Sequence, residues 1–505
     1  MPEYARSLVV ILFFAMIVFT LSKKAFESSL KLEEINRFRN IWITTTLLAF
    51  FSHDFWVFII LVSLFLIYGC KRERNKPSLF LLLLFVIPPI SAYIPGMGLM
   101  NAFFELNINR TLSLTLLLPI YMSAQIKQDG FKFGRAFTDK LLIVYIVLCA
   151  ALQLRTPTFT NTMRYGFYLF TDNILPYYAF SRGLRTLLEM KKAIIALIIA
   201  SLIAGIIGTF EYLKYWLIYD ALPKAMGSGW HFGGYMLRGG DIRATSSLMH
   251  PIILGYLMVI CLGFYFYISH SIKNKTYRKL GLFGIIGGLF TTMSRGPWVG
   301  GVALALTYLA TGKKPLFKIT TLIFFGGLFI MMLTVIPGGD KFYNLLPYLG
   351  KTQAENIDYR EQLFTNSLIV IQRYPVFGSI NFLEEPEMLE LMQGEGIVDV
   401  VNTYIGVALM YGLVGLMLFL GIFFSTLIGI YKAIKSLPNK TSEEFLLGRC
   451  LISSIIGLMV VIYTASNIGI MPSLYWAIVG MGVAFIRLIK DGQTFANSNK
   501  KLPTL

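Results

Sequence analysis

The chain has 505 residues, of which 56% are hydrophobic and only 14% are charged, and its formal net charge is +18. A soluble domain carries about a quarter charged residues, and no soluble core would bury the apolar runs of roughly 17–25 residues that recur here, each long enough to cross a bilayer. The basic residues are divided among short loops, which disfavours nucleic-acid binding. The composition therefore predicts an integral membrane protein.

The apolar runs are separated by basic loops near 71–76, 127–135, 182–192, 273–279, 313–318 and 432–440. Because basic loops face the cytoplasm, each pair of runs between them predicts an out-and-back crossing. The predicted spans are 7–22, 41–69, 78–95, 111–123, 141–154, 165–181, 193–210, 251–270, 280–293, 297–311, 316–336, 403–431, 449–466 and 471–489. We therefore predict an all-α, polytopic transmembrane bundle of about 12–15 spans, with 14 as the best value and the C-terminus inside.

Three of these runs are irregular. His53 and Asp54 interrupt 41–69, which is either one long helix or a tight hairpin, and the side of the N-terminus depends on the choice. Pro88-Pro89 is expected to kink the third span. Residues 294–297 split 280–311 into two short halves, and this break must lie near the outer surface or in a protein-lined cavity. We expect the first run to be a retained helix, because it lacks the cleavage site of a signal peptide.

The chain divides into regions by these boundaries. The segment 337–401, between the predicted spans 316–336 and 403–431, contains ten acidic and four basic residues. Its many Tyr, Leu, Phe and Ile residues predict an ordered extracytoplasmic loop. The predicted regions are 1–192, N-terminal helices; 193–336, a transmembrane region with Arg243 and Arg295; 337–401, the extracytoplasmic loop; 402–490, C-terminal helices; and 491–505, a cytoplasmic tail.

The strongest candidate for chemistry is Arg295, which lies in the predicted break. An arginine at membrane depth costs about 2.5–3.5 kcal/mol on insertion scales, so an ionisable residue there is a functional candidate. Guanidinium keeps its charge and binds phosphate oxygens in pairs. With Arg243 and Arg360 on the same predicted side, the sequence points to a phosphate or diphosphate ligand. The structural alternative is an arginine that snorkels to satisfy a helix end.

Short elements in a fixed order carry a family resemblance; they are Arg243, His250-Pro251, Ser294-Arg295-Gly296, Arg360, Tyr374-Pro375, Gly378, Asn402, Tyr404, Tyr411-Gly412 and Gly415. Over roughly residues 190–432 the chain resembles the O-antigen ligase and polymerase superfamily, which includes the Wzy-type polysaccharide polymerases. The resemblance implies a membrane-embedded, GT-C-like, inverting glycosyltransferase that needs no metal or other cofactor. It also implies an active site on the periplasmic side of the bacterial inner membrane.

The resemblance implies roles for individual residues. Arg243, Arg295 and Arg360 would bind the diphosphate of an undecaprenyl-diphosphate-linked glycan, and Arg295 would also act in catalysis by stabilising the leaving group. His250, Asn402 and Tyr404 would contact other parts of the substrate, although His250 beside Pro251 is equally a helix cap.

The sequence departs from the family at Val401, where many ligases have the histidine that activates the acceptor. Asp399 is the candidate catalytic base in its place, with Glu395 as an alternative, because a base must lie within hydrogen-bond reach of the attacking hydroxyl. The structural alternative is that these acids form a solvated face. Trp230 and Trp298 are candidates for stacking on sugar, or are interfacial anchors.

The missing histidine favours a polymerase that joins lipid-linked repeats into O-antigen, capsule or exopolysaccharide. An O-antigen ligase or protein O-oligosaccharyltransferase is the close alternative, and a lipid-glycan flippase or transporter is the alternative from another class. The implied partners are the lipid-linked donor, a glycan acceptor, membrane lipids and a chain-length regulator protein. The scattered histidines and cysteines predict no metal site and no disulfide.

Overall fold

The structure is a computed structural model of the 505-residue chain. It describes residues 2–96, 102–126, 132–156, 158–227, 235–336, 339–346, 355–393 and 396–499. The fold is an all-α polytopic membrane bundle, as the composition predicts. Within the described residues, seven helices are long and apolar enough to cross a membrane, and these are the helices defined below as α1, α10, α12, α15, α19, α20 and α21.

The N-terminal half contains ten helices and one antiparallel hairpin in its described part. The helices are α1 (Glu3–Ala25), α2 (Leu32–Ser52), α3 (Phe55–Leu64), α4 (Lys76–Leu83), α5 (Ile108–Leu112), α6 (Leu118–Ile126), α7 (Phe137–Gln153), α8 (Phe159–Tyr168), α9 (Leu175–Gly183) and α10 (Leu187–Lys214). The hairpin pairs β1 (Ser91–Pro95) with β2 (Ala102–Asn107). Turns of π-helix at Phe65–Gly69, Ser113–Leu117 and Leu169–Ile174 extend α3 and join α5 to α6 and α8 to α9.

The C-terminal half adds α11 (Ala221–Ala225), α12 (Pro251–Ile268), α13 (Lys275–Thr291), α14 (Arg295–Ala310), α15 (Pro315–Val335), α16 (Gly339–Leu345), α17 (Glu355–Arg373), α18 (Pro386–Leu389), α19 (Thr403–Lys435), α20 (Glu443–Tyr463) and α21 (Met471–Asn499). The two-residue strands β3 (Leu237–Arg238) and β4 (Asp241–Ile242) pair antiparallel before α12. Many helix starts are capped by a side-chain oxygen that accepts a backbone N–H, as polar N-cap residues do. These caps are Asp54, Asn75, Asn107, Thr186, Asn274, Asn402 and Ser442.

The ambiguous 41–69 run is a helical hairpin. His53 adopts a left-handed conformation (φ 50°), and Asp54 accepts the Val57 N–H at 2.9 Å to start α3. At the other end Arg37 Nε lies 3.1 Å from Glu73 Oε2, so α2 and α3 run antiparallel. Tyr4 lies against His53, which places the start of α1 at the turn of this hairpin.

The prediction of a kinked helix over 78–95 is wrong. The helix α4 ends at Leu83, and the chain then continues without regular structure to the strand β1. Pro88 and Pro89 have no N–H to donate, which prevents the helix from continuing. Residues 84–89 are nonetheless largely buried, which agrees with the rule that irregular backbone at membrane depth must be surrounded by protein.

The segment after α15 is ordered in its described part, as its composition predicts. It contains α16, α17 and α18, and it builds a small core of its own from Leu363, Val370, Phe382, Met388 and Leu391, together with Leu409 of α19. Arg155, at the end of α7, donates to the carbonyls of Phe377 and Gly378, both at 3.0 Å. These contacts attach the segment to the bundle.

The helix α19 is broken at Gly412, where φ is 69° and ψ is −173°. The segment Pro375–Ser379, which begins with a turn, crosses it there, because Leu413 N donates to Pro375 O at 2.8 Å and Ser379 N donates to Leu409 O at 2.8 Å. A Cβ on Gly412 would lie 2.2 Å from Val376 O, so the crossing requires glycine. Gly378, also at positive φ (60°), is the matching glycine on the crossing segment.

We predict that Gly412→Ala destabilises the protein. The backbone conformation alone costs an alanine about 1–3 kcal/mol, and the contact with Val376 O adds to this. The thermal unfolding temperature in detergent is the measurement. Gly326→Ala is the matched control, since a Cβ on that helical glycine of α15 meets nothing within 4 Å. Equal unfolding temperatures for the two variants would contradict the prediction.

Candidate functional site

The loop that carries Arg243 is held by a buried carboxylate. Glu211, in the last turn of α10, accepts the backbone N–H groups of Thr245 at 3.1 Å, Ser246 at 2.8 Å and Ile218 at 3.1 Å. Three such bonds satisfy a carboxylate that would otherwise be costly to bury. Glu211 therefore fixes the path of the chain on both sides of α11 and up to α12. Sequence reasoning missed it, because an acid near the end of a long apolar helix looks like an ordinary helix end.

Arg243 reaches into the break between α13 and α14. Its Nε donates to Thr292 O at 3.2 Å, and its Nη2 donates to Ser294 Oγ at 2.8 Å. A helix end leaves its last carbonyl groups without partners inside the helix. The break, predicted at 294–297 and found at 292–294, thus provides the acceptors that hold a guanidinium group at this end of the bundle.

Arg295 is the first residue of α14, and its guanidinium points out of the bundle towards α16. Its Nε donates to Leu345 O and its Nη2 to Asn344 O, both at 3.2 Å. The next residue, Gly296, packs so closely on Thr464 that a Cβ would lie 2.0 Å from Thr464 Oγ1. Arg295 therefore lies between the end of α20 and the segment that follows α15.

Arg360, on α17, lies beside the same residue. Its Nη2 donates to Thr464 O at 3.2 Å. Arg295 and Arg360 thus flank Thr464, one through the packing of its neighbour Gly296 and the other through a hydrogen bond. The structure brings together the three arginines that the sequence singled out.

Sequence reasoning missed a fourth arginine in this group. Arg238, in β3, donates to Met293 O at 2.6 Å, within the same break. Burial, and then the positive charges of Arg295 and Arg360, lower its pKa to about 10. Burial, and then the charge of Arg238, lower the pKa of Arg243 to about 9. These pKa values leave both arginines charged at neutral pH, so like charges are gathered here, and an anion would relieve their repulsion.

Asp399 is held by residues that are close in sequence to Thr464 and Arg360. Its Oδ1 accepts the Ser466 hydroxyl at 2.5 Å, and its backbone carbonyl accepts the Tyr359 hydroxyl at 2.9 Å. Tyr359 is the neighbour of Arg360 on α17. The candidate base is therefore tied both to the helix that carries Arg360 and to the end of α20.

Asn402 and Tyr404 have structural partners. Asn402 caps α19 by accepting the N–H groups of Tyr404 at 2.9 Å and Ile405 at 3.2 Å. The Tyr404 hydroxyl donates to Met459 O at 2.8 Å, on α20. Trp298 stacks on Phe290, with ring centroids 5.6 Å apart. Two further candidates, Trp230 and Glu395, lie outside the described residues.

These elements, from the arginines of the break to the start of α19, fall largely in one stretch of the chain. Residues 280–420 match a family model described as O-antigen ligase. The match confirms the resemblance to the O-antigen ligase and polymerase superfamily, whose members are enzymes. No curated protein matches the chain. Arg295, Arg360, Asp399, Asn402 and Tyr404 lie inside the matched region, whereas Arg238, Arg243 and His250 precede it.

No group of three or more His, Cys, Asp or Glu side chains that could hold a metal ion occurs among the residues that the structure describes. The four cysteines are buried and unpaired.

His250 caps α12, where its Nδ1 accepts the Ile252 N–H at 3.3 Å. That bond requires an unprotonated nitrogen. Burial, and then the charge of Arg243, lower its pKa from 6.5 to about 4. The imidazole is therefore neutral at neutral pH, and it is a cap and a neighbour of the arginine group rather than an additional cation.

We predict that His250 makes the stability of the protein depend on pH. Between pH 6.5 and about 4 the unfolded chain binds a proton at His250 and the folded chain does not, so the free energy of unfolding falls as the pH is lowered through this window. His250→Asn keeps a capping oxygen and removes the titration. As the pH is lowered through this window, the free energy of unfolding of the variant should rise relative to that of wild type by about 1.4 kcal/mol for each pH unit.

The measurement is the unfolding temperature of both proteins in detergent at several pH values. His270→Asn, at an exposed histidine at the other end of α12, is the control and should follow wild type. Parallel pH profiles for wild type and His250→Asn would contradict the prediction.

Proposed function

We propose that the protein is a membrane glycosyltransferase that polymerises undecaprenyl-diphosphate-linked oligosaccharide repeats into O-antigen, capsule or exopolysaccharide. The observation that carries the proposal is the group of Arg238, Arg243, Arg295 and Arg360 at one end of the bundle, in a chain whose residues 280–420 match the O-antigen ligase family. Fixed guanidinium groups bind diphosphate oxygens through charge-assisted, paired hydrogen bonds.

We assign this end of the bundle to the periplasmic side of the inner membrane. The basic loops lie at the opposite end, where Lys191 pairs with Glu443 at 2.7 Å and Arg449 donates to Tyr308 O at 2.5 Å. Basic loops remain in the cytoplasm. The lipid-linked donor and the growing glycan would therefore meet the arginines outside.

In the proposed reaction an acceptor hydroxyl attacks the anomeric carbon of the donor, with inversion. A glycosidic bond forms, the bond from the anomeric carbon to the phosphate oxygen breaks, and undecaprenyl diphosphate leaves. The arginines stabilise the charge that grows on the leaving diphosphate, an electrostatic effect that is large because the donors are fixed in advance. No metal takes part in this scheme.

Asp399 accepts the proton of the attacking hydroxyl. Ser466 holds its Oδ1 at 2.5 Å, and Tyr359, which precedes Arg360 on α17, holds its backbone, so the carboxylate has a fixed position. The first requirement of a general base is a position within hydrogen-bond reach of the proton that it accepts. Asp399 would thus replace the histidine that many ligases have at the position of Val401.

A ligase that transfers the finished glycan to lipid A core or to protein is the second candidate, and the description of the matched family favours it. The two reactions share the donor and the leaving group and differ in the acceptor. The test is reconstitution of the pure protein with undecaprenyl-diphosphate oligosaccharide, without metal or nucleotide. A ladder of products supports the polymerase, and a single transfer to lipid A core or protein supports the ligase. Donor that crosses the vesicle without a new bond would indicate a flippase and overturn both.

We predict that Arg295→Lys lowers the rate of glycan transfer by about 100-fold or more, the usual cost of removing one donor from a transition-state anion site. Lysine keeps the charge but loses the planar pair of donors. The matched control is Arg449→Lys, since Arg449 is also partly buried and bonded to a carbonyl, but at the opposite end. Wild-type rates for Arg295→Lys would exclude paired binding of the diphosphate by Arg295.

We predict that Asp399→Asn abolishes turnover while donor binding remains. The amide retains the shape and can still accept the Ser466 hydrogen bond, but it cannot take a proton at neutral pH. The measurements are the transfer rate across pH and the dissociation constant of the donor. Asp358→Asn, at an exposed acid on α17 next to the Tyr359 that contacts Asp399, should behave as wild type. An active Asp399→Asn enzyme with an unchanged pH profile would remove Asp399 from the mechanism.

A further inference from the structure

An apolar groove lies between α1, α10 and α13, away from the arginine group. Its volume is about 440 Å³. Phe14 and Val18 of α1, Phe210 of α10 and Leu280 and Phe283 of α13 line its length. The side chains of Leu280 and Phe283 are 48% and 71% exposed, so the groove opens sideways, where lipid surrounds the bundle. An elongated apolar ligand fits such a surface.

One end of the groove continues into a polar pocket of about 310 Å³. The two share Ala25 and Tyr277, and Lys24 and Lys273 line the polar pocket together with Glu27, Ser28 and Asn274. The Ser28 hydroxyl donates to Ser271 O at 2.8 Å and ties the two sides of this pocket together.

The surroundings of the polar pocket are strongly basic. Segments 23–28 and 273–279 contain six basic residues and one acid, a net charge of +5; the basic residues are Lys23, Lys24, Lys273, Lys275, Arg278 and Lys279, and the acid is Glu27. Basic pockets between transmembrane helices at the cytoplasmic side bind anionic lipid headgroups. The charge of this pocket therefore complements a phosphate at the mouth of an apolar groove.

The length of the groove matches one leaflet. On α13 it extends from Tyr277 to Gly287, and on α1 from Ala25 back to Phe14. Ten or eleven residues of helix rise about 15–16 Å, about half of the roughly 30 Å hydrocarbon core. An acyl chain that starts at the basic mouth would end near the middle of the bilayer.

We propose that this groove and pocket bind one anionic phospholipid of the leaflet at the basic end, with its phosphate at Lys24 and Lys273 and an acyl chain along α1 and α13. The polyprenyl donor is a poorer occupant, because the arginine group proposed to hold its diphosphate is at the opposite end of the bundle. The site is independent of the proposed function.

The test is native mass spectrometry of the full chain in detergent, titrated with dioleoyl phosphatidylglycerol or dioleoyl phosphatidylcholine. Wild type should bind phosphatidylglycerol more tightly. Lys24→Ala/Lys273→Ala should weaken that binding by about 25-fold, about fivefold for each lysine, and leave the binding of phosphatidylcholine unchanged. Leu280→Trp should fill the groove and weaken the binding of both lipids.

Lys313→Ala/Lys318→Ala is the matched control, since it removes two exposed lysines at the start of α15 and just before it, also at the basic end. Its affinity should equal that of wild type, and unfolding temperatures verify that every variant folds. Equal affinities of wild type for the two lipids, or an unchanged affinity of the Lys24→Ala/Lys273→Ala variant, would overturn the proposal. Displacement of phosphatidylglycerol by equimolar undecaprenyl phosphate would also overturn it, in favour of a polyprenyl carrier.

Discussion

The repulsion among gathered guanidinium groups is the interaction around which this end of the bundle is organised. Four arginines lie close enough to lower one another's affinity for protons, and burial removes part of their water. Such a group is stable when hydrogen-bond acceptors replace the lost water. Thr292 O, Met293 O and Ser294 Oγ, all in the break after α13, take on this role for Arg238 and Arg243. These acceptors hold the donors in place, but the total charge remains positive.

The acceptors exist because a helix ends there. A continuous helix over 280–311 would use its own carbonyl groups, and Arg238 and Arg243 would lose these acceptors. Broken backbone at membrane depth is tolerated where protein surrounds it, and here the Arg243 loop, fixed by Glu211, covers the break. The break and the loop are thus mutually dependent, because each satisfies polar groups that the other leaves open.

The sequence predicted the parts that follow from hydropathy and charge, and it left open the parts that depend on tertiary contacts. The existence of the break was accessible, because Arg295 interrupts an apolar run, and the shared side of Arg243 and Arg360 followed from the predicted topology. Arg238 lies in an ordinary polar loop. Its place in the group depends on a contact with Met293, which is distant in sequence and cannot be read from the residues around Arg238. The helix predicted over 78–95 was wrong, because the side chains of a buried segment without regular structure are as apolar as those of a buried helix.

The residues that carry the family resemblance divide by physical role, and the division explains how Arg360 reaches the membrane arginines. Gly378 and Gly412 allow the segment after α17 to cross the break in α19, which fixes one end of α17. Towards its other end, Tyr359 bonds to the backbone of Asp399. Arg360 follows Tyr359 directly, so a helix outside the bundle is anchored at two points before its arginine meets Thr464. Glycines distant from the charge therefore determine the geometry of the arginine group, because they set the position of the helix that carries one of its members.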